Sequence, residues 1–180
     1  LSVYNNEVVD YSSTQIQGAG SASFKGNSTI IHENFGEYIG STFSISFWIK
    51  NDNTAASSVV FRLMSSEDDT GFILQGNNDL VFYHWINKWE TGPKFSGVLD
   101  NEWHHCVVVI DGENIFLYKD GIVHSKLENT GFREIQNDAW LSLGSEKRYH
   151  YTGNLDEIRV YNKILDLSEV EELYAFESTN

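Results

Sequence analysis

The stretch Trp103–Gly121, WHHCVVVIDGENIFLYKDG, constrains the fold more than any other part of the chain. Trp103–Ile110 is rich in β-branched and aromatic residues, which suit a pleated backbone. Asp111-Gly112-Glu113-Asn114 then supplies turn chemistry, and Ile115–Lys119 returns as a second apolar run. Asp120-Gly121 turns the chain again into Ile122-Val123-His124. An Asp-Gly pair between two apolar runs signals a type I′ hairpin, whose central residues both need positive φ. The middle of the chain therefore predicts an antiparallel meander. Folds built on such meanders usually bind ligands and do not transform them.

The same alternation of short apolar runs and polar turns extends through the sequence. Ser21–Phe24 and Thr29–His32 flank Lys25-Gly26-Asn27-Ser28, which reads as a tight hairpin. Phe43–Lys50 sets Phe43, Ile45, Phe47 and Ile49 against Ser44, Ser46, Trp48 and Lys50, the period of a strand. Ser58–Met64 and Phe72–Gln75 flank an acidic loop, and Leu80–Trp85 leads into a polar-aromatic loop through Pro93 and Gly97. Trp140–Leu143 and Leu155–Tyr161 complete the set. With no helical crossovers between them, these strands predict an all-β fold, a two-sheet antiparallel jelly-roll sandwich. One short C-terminal helix is expected, with Ser168 as N-cap and Glu171 as capping-box partner, plugging one end of the sandwich. A chain of 180 residues can bury one substantial core, and no linker or repeat interrupts it, so residues 1–180 read as a single domain.

The motifs W-H-H-x-x-V-V-I-D-G, L-Y-K-D-G, L-x-L-G-S and the final G-N-L-D-E-I-R-V-Y-N-K-x-L resemble the laminin-G-like, concanavalin A-like lectin/glucanase superfamily. The resemblance spans roughly Ala22 to Tyr174. Phe43–Lys50 and the LSEVEELY helix are also similar to the lectin-like sandwich in the binding region of clostridial neurotoxins. What this implies is a jelly-roll fold. Function follows less tightly, because such folds host lectins, adhesion modules and glycan-cleaving enzymes alike.

Charge narrows the partners. A formal net charge of −14 repels phosphates, which argues against nucleic acid and anionic membrane surfaces and lowers the prospects of heavily sulfated glycans. No apolar run approaches the roughly eighteen residues needed to cross a bilayer, so membrane insertion is not expected. The chain opens at Leu1 without a cationic leader, which reads as a processed or excised fragment. The single cysteine, Cys106, sits in an apolar strand run and reads as a small buried thiol.

In a sandwich, exposed aromatics are the anomaly to look for. Sugar C–H faces pack on aromatic rings while their hydroxyls take hydrogen bonds from polar side chains, and indole offers a large rigid surface. Strand parity places Tyr83 and Trp85 on one face, opposite Leu80, Phe82 and His84. Tyr83 and Trp85 are therefore expected to line a concave surface with Trp89 at its rim; the competing reading makes one tryptophan a cap on the core. A second cluster, Arg148, Tyr149 and Tyr151, occupies the connection after Gly144 and suits hydroxyl and carboxylate recognition, or simple loop packing. Arg62 and the acidic loop Glu67-Asp68-Asp69 are weaker candidates.

The resemblance implies a structural calcium where the N-terminal turn meets the penultimate strand, with Asn27 and Asp156 as side-chain ligands. Calcium takes six to eight oxygens, and Lys25 beside the turn opposes a cation. His104-His105 cannot form a zinc site, since strand neighbours point to opposite faces. Retaining glycoside hydrolysis needs two carboxylates about 5 Å apart, and no strand here offers the alternating carboxylates of that pattern. The expected function is therefore a non-catalytic, glycan-binding, lectin-like module, extracellular or surface-exposed and working beside other modules of its parent chain. The alternative is a protein-binding adhesion or assembly domain of a larger extracellular or virion protein.

Overall fold

The computed structural model describes residues 2–4, 10–12, 21–25, 28–52, 58–65, 71–76, 78–146 and 149–179. In chain order its strands are β1 (Ser2–Tyr4), β2 (Asp10–Ser12), β3 (Ser21–Phe24), β4 (Thr29–His32), β5 (Thr42–Asn51), β6 (Ser58–Met64), β7 (Gly71–Gly76) and β8 (Asp79–Trp85). There follow β9 (Trp89–Ser96), β10 (His104–Asp111), β11 (Ile115–Lys119), β12 (Ile122–Leu127), β13 (Trp140–Leu143), β14 (Ser145–Glu146), β15 (Tyr149–His150) and β16 (Gly153–Tyr161). A short 3₁₀ turn spans Phe35–Tyr38, and one helix, α1, spans Leu167–Ser178. One sheet orders its strands β1-β4-β13-β6-β7-β8-β9, and the other β12-β11-β10-β5-β16-β3-β2. Every pairing is antiparallel, which gives the expected jelly-roll sandwich.

The meander forms as its turn chemistry dictates. Asp120 and Gly121 adopt φ of 52° and 82°, the positive pair that a type I′ turn requires. At the preceding turn the Asp111 carboxylate accepts the Asn114 amide at 2.7 Å. Two of the expected connections differ. The segment 25–28 is no hairpin: β3 and β4 enter opposite sheets, and Ser28 bonds back to Lys25 through both its amide and its hydroxyl to make a corner. The region around Pro93 is no loop either, but strand β9. It lies at the edge of its sheet, where a residue without an N–H costs no ladder bond.

Between the sheets lies a continuous apolar core. Phe43, Ile45, Phe47 and Ile49 of β5 meet Phe61, Leu63, Phe72, Leu74 and Phe82 of the facing sheet, and Cys106 is buried among them. Yet β5 is buried on its other side too, because Ser44, Ser46 and Trp48 are also inaccessible. The cause is α1. It lies over the outer face of β5 and β10, and does not plug an end of the sandwich. Val170 and the lead-in residue Leu165 pack on Val107, Val109 and Tyr118, while Tyr174 stacks on Trp48 at 5.7 Å. Ser44 and Trp48, on that side of β5, hold the C-terminal segment, and Ser46 ties β5 to β10 beneath it. Ser44 donates to the Lys163 carbonyl at 2.8 Å and accepts the Leu165 amide at 3.0 Å. Ser46 bonds His105 at 2.8 Å, and the Trp48 indole N–H donates to the Glu177 carboxylate at 2.6 Å.

Glu177 is fully buried and also pairs with Arg159, which in turn pairs with Glu157. His105, beneath it, is driven down to a pKa of about 4 by burial and so stays neutral. The helix begins two residues earlier than expected: Asp166 is the N-cap and Glu169 its capping-box partner. Ser168 and Glu171 carry an equivalent signature, but Leu165 must reach the apolar patch on β10, and that fixes where the first turn starts.

His104, at the start of β10, sits between two carboxylates: Nδ1 is 2.9 Å from Asp120 and Nε2 is 3.1 Å from Asp100. The Asp120 hydrogen bond raises its pKa above the ordinary 6.5, against opposition from burial and from nearby Lys119.

Two outcomes are expected. Removing the buried carboxylate in Glu177→Ala strands Arg159 and the Trp48 indole, and should cost about 3 kcal/mol in urea unfolding. Glu177→Gln, which keeps an acceptor, should cost less, and a loss under about 1 kcal/mol for the alanine variant would mean the helix is not held this way. The second concerns pH. A raised folded pKa at His104 contributes stability in full below 6.5, and that stability is lost as pH rises through the folded value. His105, with a lowered pKa, has the opposite slope below 6.5. Wild type should therefore lose on the order of 1 kcal/mol relative to His104→Gln between about pH 6 and pH 8. A gap between the two that is the same at both pH values would rule out the carboxylate clamp.

Candidate functional site

With α1 over one sheet, the wet face of the sandwich is the outer side of the other. Alternation along its strands sends Leu80, Phe82 and His84 into the core and leaves Val81, Tyr83 and Trp85 outside. The register then aligns one outward row across the sheet. Ile31 pairs with Ser142, Ser142 with Arg62, Arg62 with Ile73, Ile73 with Tyr83, and Tyr83 with Thr91.

Two cavities open on this row. The first, about 360 Å³, is lined by Arg62, Ile73, Gln75, Tyr83, Trp89 and Tyr149. The second, about 490 Å³, is lined by Ile31, Glu33, Asn34, Asp138 and Trp140. The Arg62 guanidinium lies over the Trp140 ring, 4.8 Å from its centroid, so a wall of one cavity rests on a wall of the other.

Tyr83 and Trp89 reach the first cavity from β8 and β9. A three-residue turn joins these strands, with Asn87 at φ 94° and the Ile86 amide donating to the Lys88 carbonyl at 3.1 Å. That turn puts Trp85 and Trp89 directly opposite each other, edge to face at 5.4 Å. Trp89 keeps 40% of its surface in water. Trp85 is half-buried; it supports Trp89 from the side and does not itself line the cavity. Tyr149 arrives by a different route. The β14–β15 ribbon folds over β6, and its ends are closed by the Gly144 amide bonded to Val60 and the Tyr151 amide bonded to Gly144. Gly144 has φ of 91°, and a Cβ there would lie 2.1 Å from the Phe24 ring, so only glycine can make this closure.

Tyr83, Trp89 and Tyr149 thus converge on one cavity from three strands, which joins a residue of the second cluster to the first. Tyr151 does not join them. It is fully buried, and its hydroxyl donates to the Lys50 carbonyl at 2.8 Å and lies 3.1 Å from that of Asn154, while burial pushes its pKa well up. The signal that separates Tyr149 from Tyr151 is the ribbon closure: Tyr151 ends it and turns inward toward Phe24. Arg148 and Asn27 lie outside the described residues, as does the acidic loop Glu67-Asp68-Asp69. Asp156 is buried in β16 and accepts the Glu157 amide at 2.9 Å. Among the described residues no three carboxylate, imidazole or thiol groups gather in a metal-binding cluster, so Asp156 is the one described side chain of the calcium pair.

Sequence reasoning ranked Arg62 low and passed over Gln75 and Trp140. Arg62 could have been found by parity, since it is the polar position in the apolar run of β6. Trp140 carried no local mark of exposure. Its outward position follows only from the pairing of β13 between β4 and β6.

Chemically the first cavity offers, among the described residues, three aromatic rings, one guanidinium and one amide, with no carboxylate. That set stacks on and hydrogen-bonds a ligand. No helix among the described residues is long and apolar enough to span a membrane.

A family model described as the concanavalin A-like lectin/glucanases superfamily matches residues 24–171. Among solved structures, the chain is similar to domain 4 of AbnA, a GH43 extracellular arabinanase from Geobacillus stearothermophilus, in complex with arabinotriose. The TM-score is 0.77 at 21% identity, covering 94% of this chain and 82% of that one. It is also similar to the binding domain of botulinum neurotoxin serotype G, with a TM-score of 0.72 at 15% identity, covering 91% of this chain and 44% of that one. A heptameric SAP-like pentraxin from Limulus polyphemus gives a TM-score of 0.62 at 17% identity, covering 84% of this chain and 80% of that one. At such identities these likenesses establish the fold. No curated protein sequence matches the chain significantly.

The buried placement of Tyr151 is directly testable. Tyr151→Phe should lower stability by about 1–2 kcal/mol through the orphaned carbonyls, with no change in any ligand affinity measured at the outer face. A variant as stable as wild type, or one that loses ligand, would return Tyr151 to the site.

Proposed function

This chain belongs to the concanavalin A-like lectin/glucanases superfamily, and we propose that within it the chain is a non-catalytic module that binds glycans on the outer face of one sheet. The observation that carries this reading is the meeting of Tyr83, Trp89 and Tyr149 with Arg62 and Gln75 around one open cavity. Exposed rings beside hydrogen-bonding side chains match the two faces of a sugar, its apolar C–H side and its hydroxyl rim. Trp89 and Tyr149 keep 40% and 39% of their surfaces exposed, which leaves ring area free for stacking. The arabinotriose held by the similar arabinanase domain supports a saccharide as the ligand class.

A binding role, without turnover, rests on the electrostatics. General acid catalysis at neutral pH needs a carboxyl kept protonated by burial. Among the described residues, the carboxylates on this face that line a cavity are Glu33, which is exposed, and Asp138, which accepts the Ser65 hydroxyl at 2.8 Å. Neither is buried: Glu33 faces water and Asp138 is half-exposed. Shallow stacking with a few hydrogen bonds gives per-site affinities from roughly micromolar to millimolar. Such affinities serve a module tethered beside others in a secreted or surface-exposed chain.

Titration with arabinotriose and a panel of other neutral oligosaccharides, followed by tryptophan fluorescence, tests the proposal. At least one saccharide should quench or shift the emission. Trp89→Ala and Tyr83→Ala should each weaken its binding about tenfold or more while the melting temperature holds. If no saccharide binds, and the same variants instead abolish concentration-dependent self-association, the surface serves protein assembly.

A further inference from the structure

Resting on that glycan-binding reading, we infer that the two cavities are subsites of one extended site, and that its ligand is a neutral oligosaccharide lying across the strands. Arg62 belongs to the first cavity and Trp140 to the second, and the guanidinium carbon lies over the indole, 4.8 Å from the ring centroid. The register row joins the same two places, running from Ile31 on β4 to Tyr83 on β8. Four strand spacings of about 4.8 Å each put these ends roughly 19 Å apart. A single sugar ring cannot reach both; a chain of several can.

The second cavity has the makings of a saccharide subsite in its own right. Trp140 supplies a half-buried ring, Ile31 an aliphatic floor, and Asn34 and Glu33 exposed polar rims. Its charge sets the ligand class. Glu33 and Asp138 both line it, on a chain with formal net charge −14, so a uronate or sulfated unit would meet carboxylates there. At the centre of the site the guanidinium of Arg62 already lies on the Trp140 ring. Neutral hydroxyls, by contrast, can donate to these carboxylates and accept from the Asn34 amide.

The test is isothermal titration of the purified chain with arabino-, xylo- and cello-oligosaccharides, from disaccharide to hexasaccharide, with oligogalacturonates of matched length as the anionic arm. In the series that binds, affinity should climb about tenfold or more from the disaccharide to the longer members. Trp140→Ala should erase that gain, with the loss of affinity growing as the oligosaccharide lengthens. Glu33→Ala, an exposed position that does not threaten folding, should reduce the gain in the same direction. Affinity that is flat with length, a gain untouched by both variants, or tighter binding of the oligogalacturonates overturns the two-subsite inference while the single-site reading stands. No binding of any oligosaccharide overturns both.

Discussion

Everything about the open surface of this domain follows from the burial of β5 on both of its sides. Antiparallel sheets in sandwiches ordinarily keep one face wet. Here Trp48, Ser44 and Ser46 are sealed by the C-terminal segment, whose attachment uses a buried carboxylate, Glu177, shared between an indole and a guanidinium. Covering an indole and several aliphatic chains contributes some 1.5–3 kcal/mol per large side chain, enough to fix the helix in place. The buried carboxylate then specifies its position, because a helix shifted by a turn would leave Glu177 and Arg159 unpaired in a dry setting.

That strap covers β5 and β10, and among the described residues the outer face of the other sheet carries the unusual chemistry. Rings at Trp89, Tyr149, Tyr83 and Trp140, with Arg62 between them, come from β9, β15, β8, β13 and β6. Their convergence depends on the register of paired strands, which are rigid elements, more than on loops. A site built this way is pre-organised. The ordering cost on binding is then carried largely by the ligand. The β14–β15 ribbon is the exception, and its closure through Gly144 is what holds Tyr149 against the strand beneath.

Much of the fold could be read in advance, and for local reasons. The positive φ values at Asp120 and Gly121, the alternation in Phe43–Lys50 and the bounds of β6, β11 and β13 all follow from turn chemistry and period. Errors occurred where two local readings tie. Lys25–Ser28 has the composition of a hairpin turn but serves as a corner between sheets, and Ser168-x-x-Glu171 mimics the capping box that Asp166 and Glu169 in fact form. In each case the decision belongs to a distant partner: β16 and β13 for the corner, the patch on β10 for the cap.

By itself the sequence determined that this chain is a jelly roll of short antiparallel strands, that Cys106 is interior, and which side of β8 each residue takes. Those properties depend on neighbours within a few positions. Which sheet face stays open, that Tyr149 points to water while Tyr151 sinks beneath it, and that Arg62 meets Trp140 were decided by tertiary structure alone. Strand parity assigns a side chain to one of two faces. Only packing between segments far apart in the chain says which face is covered, and exposure is what turns an aromatic residue from core into contact.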